Sequence, residues 1–206
     1  IGFKDEPYKL TNYQEEWLNL VDGNDYDRFN FAAFRSSGKT ETLLIDYPIF
    51  KAFTQTGWQG IITSNSQKQS ISILRRIRET ILGNEVLRTS VPSGKEGLWS
   101  KTELQLKNGS IIWSKPRNEN LPGEHVNYVG NDETGYEKDM DVVTKIIPPM
   151  VVAKKGKIVW IGTTVSKIDV IHQLKKNSAY LTKWYPANLK YEGKTLWEWR
   201  YPSVPM

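Results

Sequence analysis

The chain of 206 residues contains no cysteine and only two histidines. The first absence excludes a disulfide scaffold, which a chain of this length does not need because it can bury a substantial core. It fits a reducing compartment. His125 and His172 lie far apart without ligand-like companions, so no histidine metal centre is expected. No apolar run approaches the roughly 18 residues that span a bilayer, and no leader of the signal-peptide type opens the chain. No repeat or low-complexity tract interrupts it. What is present is 38% hydrophobic and 25% charged, with a formal net charge of +5. That is the balance of one ordinary globular domain with a modest tilt toward polyanionic partners. The eight tryptophans fall largely at apolar-periodic positions and read as core. A start at Ile1 and a stop shortly after TrpGluTrpArgTyrPro predict a piece of something longer.

Apolar periodicity predicts strands alternating with helices. Leu10–Val21 reads as a helix with Thr11 and Gln14 at capping-box spacing. Phe29–Ala33 reads as a strand, Thr40–Phe53 as a helix kinked or ended by Pro48, and Trp58–Ser64 as a second strand. Ser66 caps a helix over Gln67–Leu82 with Ile71, Leu74, Ile77 and Ile81 inward and Gly83 as its stop. Glu103–Lys107 and Ser110–Ser114 flank Asn108-Gly109 as a hairpin. His125–Asn131 reads as a strand, Asp139–Ile147 as a helix before a Pro148-Pro149 break, and Lys157–Ile161 as a buried strand. A helix over Lys167–Lys176 and a strand over Tyr180–Tyr185 follow. The alternation predicts a mostly parallel three-layer α/β sheet, with Leu87–Lys101 as its most mobile loop.

Ligands of such sheets sit at the carboxyl ends of the strands, and three of those ends carry polar groups suited to phosphates. The first, Ala33–Thr40 (AFRSSGKT), joins a strand to a helix. It is a phosphate-loop pattern, G-x-x-x-x-G-K-[ST], with Ala33 where the first glycine belongs. Lys39 would neutralise phosphate charge and Thr40 would face a metal ion. The second is Asp132-Glu133, about 90 residues on. Asp132 would make a metal contact and Glu133 would orient or deprotonate water; alone, the pair reads more readily as a solvated turn, and Asn127, Gly130 and Asn131 interrupt the strand before it. The third is Gly162-Thr163-Thr164.

Taken in this order, the motifs resemble the ATPase domain of the large terminase subunit, the motor that packages DNA into phage and herpesvirus capsids. LeuThrAsnTyrGln (10–14) is similar to its adenine motif, AFRSSGKT to its variant phosphate loop, and GIITSNSQKQSISILRRI to the strand and helix that follow. NGSIIWSKPRNENLPGEHVNYVGNDE is similar to the lead into its acidic motif, IVWIGTT to its coupling motif, and KTLWEWRYP to the end of its motor domain. The resemblance implies a three-layer P-loop NTPase fold (RecA/ASCE-like) with an antiparallel hairpin addition, as a single domain over 1–206 cut from a chain that continues into a nuclease. It implies ATP and Mg²⁺ as cofactors, and ATP hydrolysis without DNA cleavage in this fragment.

The resemblance also implies roles for residues. Gln14 would read the adenine edge, with Tyr13 near the base, or else Gln14 only completes the capping box. Arg35, Ser36, Ser37, Gly38, Lys39 and Thr40 would bind the triphosphate, with Arg35 able to reach the γ-phosphate or Glu133. Thr40 and Asp132 would place Mg²⁺, Glu133 would activate water, and Gly162, Thr163 and Thr164 would couple hydrolysis to movement. Ring motors of this type take an arginine from the adjoining subunit, and Arg117, in a polar loop, is the candidate. The implied partners are double-stranded DNA, further copies in a ring on a portal protein, and a small terminase subunit. The implied setting is the host cell cytoplasm, with no membrane contact. A helicase-type translocase and a decayed nucleotide-binding module are the alternatives. Arg75, Arg76 and Arg78, and Lys154, Lys155 and Lys157, read as solvated surface or as contacts to DNA phosphates.

Overall fold

The computed structural model describes residues 9–93, 99–118, 121, 124–134, 140–165 and 167–187. Four of its strands are buried on both faces, as parallel strands covered by helices must be. The strands are β1 (Arg28–Ala33), β2 (Gln59–Ser64), β3 (Glu103–Gln105), β4 (Ile111–Pro116), β5 (Tyr128–Asn131), β6 (Lys157–Gly162) and β7 (Leu181–Tyr185). They form one sheet in the order β3-β4-β2-β5-β6-β1-β7. Only β3 runs antiparallel, paired with β4 across the Asn108-Gly109 turn. The expected α/β fold with its hairpin addition is present. Among the described residues no helix is long and apolar enough to cross a membrane.

One face of the sheet is covered by α1 (Asn12–Asp22), α2 (Tyr47–Thr54) and α3 (Gln67–Gly83), whose apolar sides share a core with Phe29, Phe31, Ile62, Val159 and Ile161. The short α4 (Glu85–Arg88) follows α3. The other face is covered by α5 (Ile147–Val152) and α6 (Val170–Lys175) over Val129, Ile158 and Trp160. In α3 the buried stripe runs through Ser70, Ile73, Leu74, Ile77 and Ile81; Ile71, expected inward, is half-buried.

Both predicted proline breaks are corrected. Thr40–Asp46 is π-helical and passes directly into α2, so Pro48 lies in the first turn of an α-helix, where proline is tolerated. The Pro148-Pro149 pair likewise opens α5, after a π-helical turn over Val142–Ile146. The predicted strand over His125–Asn131 begins only at Tyr128, and the helix expected from Lys167 begins at Val170, where the Asp169 carboxylate caps the N–H of His172 at 2.9 Å. The middle of the Leu87–Lys101 loop and the terminal KTLWEWRYP stretch lie outside the described residues.

Candidate functional site

The first site element follows β1. Ser36 and Gly38 take positive φ angles of 61° and 84°, which turn the chain sharply, and the Thr42 N–H then donates to the Gly38 carbonyl at 2.9 Å to start the helix. Arg35 and Ser36 are exposed and Ser37 is fully buried. Lys39 Nζ lies over the loop, donating to the Phe34 carbonyl at 3.1 Å and to Thr163 Oγ1 at 3.2 Å. Thr163 Oγ1 in turn donates to the Ala33 carbonyl at 3.1 Å. Thr40 Oγ1 donates to Asp132 Oδ1 at 3.3 Å. Three strand ends, separated by 92 and 124 residues of sequence, therefore meet through side-chain contacts.

Burial governs the charges here. It raises the Asp132 carboxyl above the ordinary carboxylate range, opposed by the Glu133 backbone N–H, the Lys39 cation and the Thr40 hydroxyl. It lowers the Lys39 ammonium from its usual value, against the pull of Asp132. Each group partly offsets the effect of burial on the other.

Glu133 stands in the left-handed region at φ 53°, a conformation that costs a side chain about 1–2 kcal/mol unless its surroundings fix it. Its surroundings do. Gln69 Nε2, in the first turn of α3, donates to Glu133 Oε2, and Asn65 Nδ2 donates to the Glu133 carbonyl at 3.3 Å. Ser64 and Ser66 hydroxyls each lie 3.1 Å from Gln69 Oε1, which fixes the orientation of that amide. Sequence reasoning misses Asn65 and Gln69. The Ser66-x-x-Gln69 spacing is their one signal, and it points to a helix cap rather than to an acidic turn.

Two residues stand differently from the sequence expectation. Gln14 is fully buried, with both ends of its amide engaged within the chain. Its Oε1 accepts the Thr11 N–H at 2.9 Å, completing the capping box, while its Nε2 donates to the Ser37 carbonyl at 3.0 Å. The extended side chain does both. Arg117 is 6% exposed rather than standing in an open polar loop. Its Nη1 donates to the Asp132 carbonyl at 3.0 Å, its Nη2 donates to Asn65 Oδ1, and its guanidinium lies over the Trp160 ring at 5.5 Å. The guanidinium is thus engaged within its own chain.

The polar interruptions before Asp132 also have structural explanations. Thr63 Oγ1 donates to Asn131 Oδ1 at 2.7 Å, Asn131 Nδ2 donates to the Val159 carbonyl at 3.2 Å, and Asn127 Oδ1 accepts the Gln59 N–H at 2.9 Å. A Cβ on Gly130 would lie 2.5 Å from Leu44 Cδ2, so glycine lets the helix after the phosphate loop sit close on the sheet.

No family model matches the chain, and no curated protein matches it in sequence. Solved structures match it in shape. A variant of the Thermus phage P74-26 large terminase ATPase domain superposes with a TM-score of 0.69 at 18% identity, over 94% of this chain and 85% of that one. The fold is that of a large-terminase ATPase domain. The bacteriophage HK97 large terminase gives a TM-score of 0.66 at 14% identity, over 97% of this chain and 44% of that one. The large terminase of the thermophilic bacteriophage D6E gives 0.65 at 11% identity, over 86% and 46%. The chain thus spans under half the length of those two terminases.

The basic clusters make contacts within the chain. Arg75 pairs with Glu79, Arg76 with Glu41, and Arg78 donates to the Ser100 carbonyl and lies over the Trp99 ring. Lys154 donates to Gln59 Oε1, and Lys157 donates to the Gly23 and Tyr26 carbonyls. A cleft of about 320 Å³ opens beside the phosphate loop, bordered by Phe34, Thr163, Thr164, Trp184 and Pro186.

Proposed function

We propose that this domain hydrolyses ATP as the motor of a viral large terminase. One observation carries the reading: Lys39, Thr40, Asp132 and Thr163 are joined by hydrogen bonds at the carboxyl end of the sheet, with Glu133 beside them. That set is what γ-phosphate hydrolysis requires: a cation for the phosphates, oxygens for a metal, a carboxylate for water, and a hydroxyl next to the leaving group.

The backbone N–H groups of the turn at Ser36–Thr40 face the phosphates, and Lys39 leaves the Phe34 carbonyl to neutralise them. The Thr40 hydroxyl and the Asp132 carboxylate, 3.3 Å apart, are the oxygen groups that would hold Mg²⁺. Among the described residues no group of three or more His, Cys, Asp or Glu side chains could hold a metal ion, so Thr40 and Asp132 would hold Mg²⁺ together with the nucleotide. Bound magnesium neutralises charge on the phosphates. Glu133 accepts a proton from the attacking water, held in place by Gln69. Arg35, exposed at the head of the loop, is free to turn toward the γ-phosphate. When Lys39 moves to the phosphates it releases Thr163, which carries the occupancy of the site to the end of β6.

The chain is one motor domain over 1–206 of a longer protein that continues into a nuclease. It acts on double-stranded DNA in the host cytoplasm, within a ring of copies on a portal protein and with a small terminase subunit as a further partner. Phosphate release by the purified protein with Mg²⁺-ATP tests this. Turnover that falls at least a hundredfold in Glu133→Gln, with ATP binding kept, is the expected result; equal background release from both proteins overturns it. Plasmid incubated with the domain and Mn²⁺ should stay uncut.

A further inference from the structure

Two hydrogen bonds converge on one backbone carbonyl of the phosphate loop. Tyr13 Oη and Gln14 Nε2 each donate to the Ser37 carbonyl at 3.0 Å, from side chains 5% and 0% exposed. Their helix is itself anchored. The Gln14 Oε1 bond to the Thr11 N–H fixes the start of α1, and the Tyr13 ring packs 5.0 Å from Trp17 and 6.0 Å from Tyr185. On the next turn, Glu16 accepts from Tyr185 Oη at 3.0 Å and from Lys183 Nζ at 2.9 Å, tying α1 to β7.

A trans peptide is planar, with its C=O and the following N–H pointing opposite ways. Holding the Ser37 carbonyl toward α1 therefore turns the Gly38 N–H away from α1, toward the mouth of the loop. The 37–38 peptide turns about ψ of Ser37 and φ of Gly38, and Gly38, at φ 84°, has no side chain to restrict that turn. The geometry points to Tyr13 and Gln14 as positioning residues that hold the 37–38 peptide with its N–H facing the triphosphate, with no part in reading the base. The inference rests on the nucleotide reading above. It assigns to α1 a grip on phosphate that is indifferent to the nucleoside.

The test compares binding of ATP, GTP and inorganic tripolyphosphate, each with Mg²⁺, by the protein and by two variants. Tyr13→Phe removes one donor and keeps the ring. Gln14→Glu keeps the acceptor for Thr11 and loses the donor to Ser37. Each variant should weaken all three ligands by the same factor, about threefold to tenfold for one hydrogen bond. The KM for ATP should rise by that factor, with kcat within twofold. If Gln14→Glu fails to fold, Tyr13→Phe alone decides. Loss of ATP affinity with GTP and tripolyphosphate unchanged would mean that these residues read the base, and no change in any ligand would mean that they do not position the loop; either overturns the inference. Failure of the unaltered protein to bind any of the three overturns the nucleotide reading itself, and this inference with it.

Discussion

Arg117 shows how one residue type serves opposite roles according to burial. In the sequence it is a cation in a polar stretch before an acidic pair, which suits a group offered to a neighbouring subunit. In the fold it is buried, spans the ends of β2 and β5 and holds the Asp132 carbonyl. Arg117→Ala should therefore lower kcat at least tenfold with ATP affinity little changed, because the acidic turn loses its support. Mixing it with Glu133→Gln subunits should restore nothing, since both defects fall within one site. An arginine acting across an interface would give recovery in that mixture, as each subunit would supply what the other lacks. Asn131 and Gly130 teach the same lesson. Residues that look like flaws in a strand are its fastenings, because a side-chain amide satisfies neighbouring strands and a missing Cβ admits a helix. Periodicity registers only polarity, so it cannot see either purpose.

At the scale of elements, the junction at Pro48 is the informative one. The Tyr47 N–H bonds the Thr42 carbonyl five residues back, and the next donor in that register would be Pro48, which has none. The Leu43 carbonyl is thereby left without a helical partner. Tyr128 Oη supplies it, donating at 2.7 Å from β5, and burial holds that phenol well above its ordinary pKa so that it keeps its proton. The helix that follows the phosphate loop is thus tied to the strand that leads to Asp132. Tyr128→Phe should destabilise the protein by about 1–3 kcal/mol, the cost of an unsatisfied buried carbonyl, seen as a lower midpoint in urea. Gly130→Ala, which would press on Leu44 in the same junction, should cost about as much through overpacking. The capping-box spacing of α1 and the Asn108-Gly109 hairpin are legible in sequence because both are local. The helix junction is not, since its missing hydrogen bond is repaired from 85 residues away.

Across the whole molecule, two cores on either face of the sheet leave the charged groups of the site at the carboxyl ends of β1, β5 and β6. The same burial leaves one carboxylate with a measurable effect on stability. Asp46, at the end of the π-helical turn, is pushed from 3.8 up to about 6 by burial and then by the Glu41 carboxylate. The folded chain therefore holds a proton there that the unfolded chain has already lost. Stability from this group is greatest below about pH 4 and falls as pH rises through about 6. Asp46→Asn should be more stable than the unaltered protein at pH 7.5 by about 1–3 kcal/mol, with the gap closing toward pH 4. Melting temperatures across that range check it.

The sequence by itself determined the alternation of strands and helices, the phosphate-loop pattern, the acidic pair and the hydroxyl motif, because these depend on local periodicity and on residue chemistry. The tertiary structure alone decided that Gln14 supports the loop from beneath, that Arg117 braces its own chain, and that Gln69 and Asn65 hold Glu133. Each of those is a question of which way a side chain points and what buries it. Burial is a property of strands brought together from distant parts of the chain.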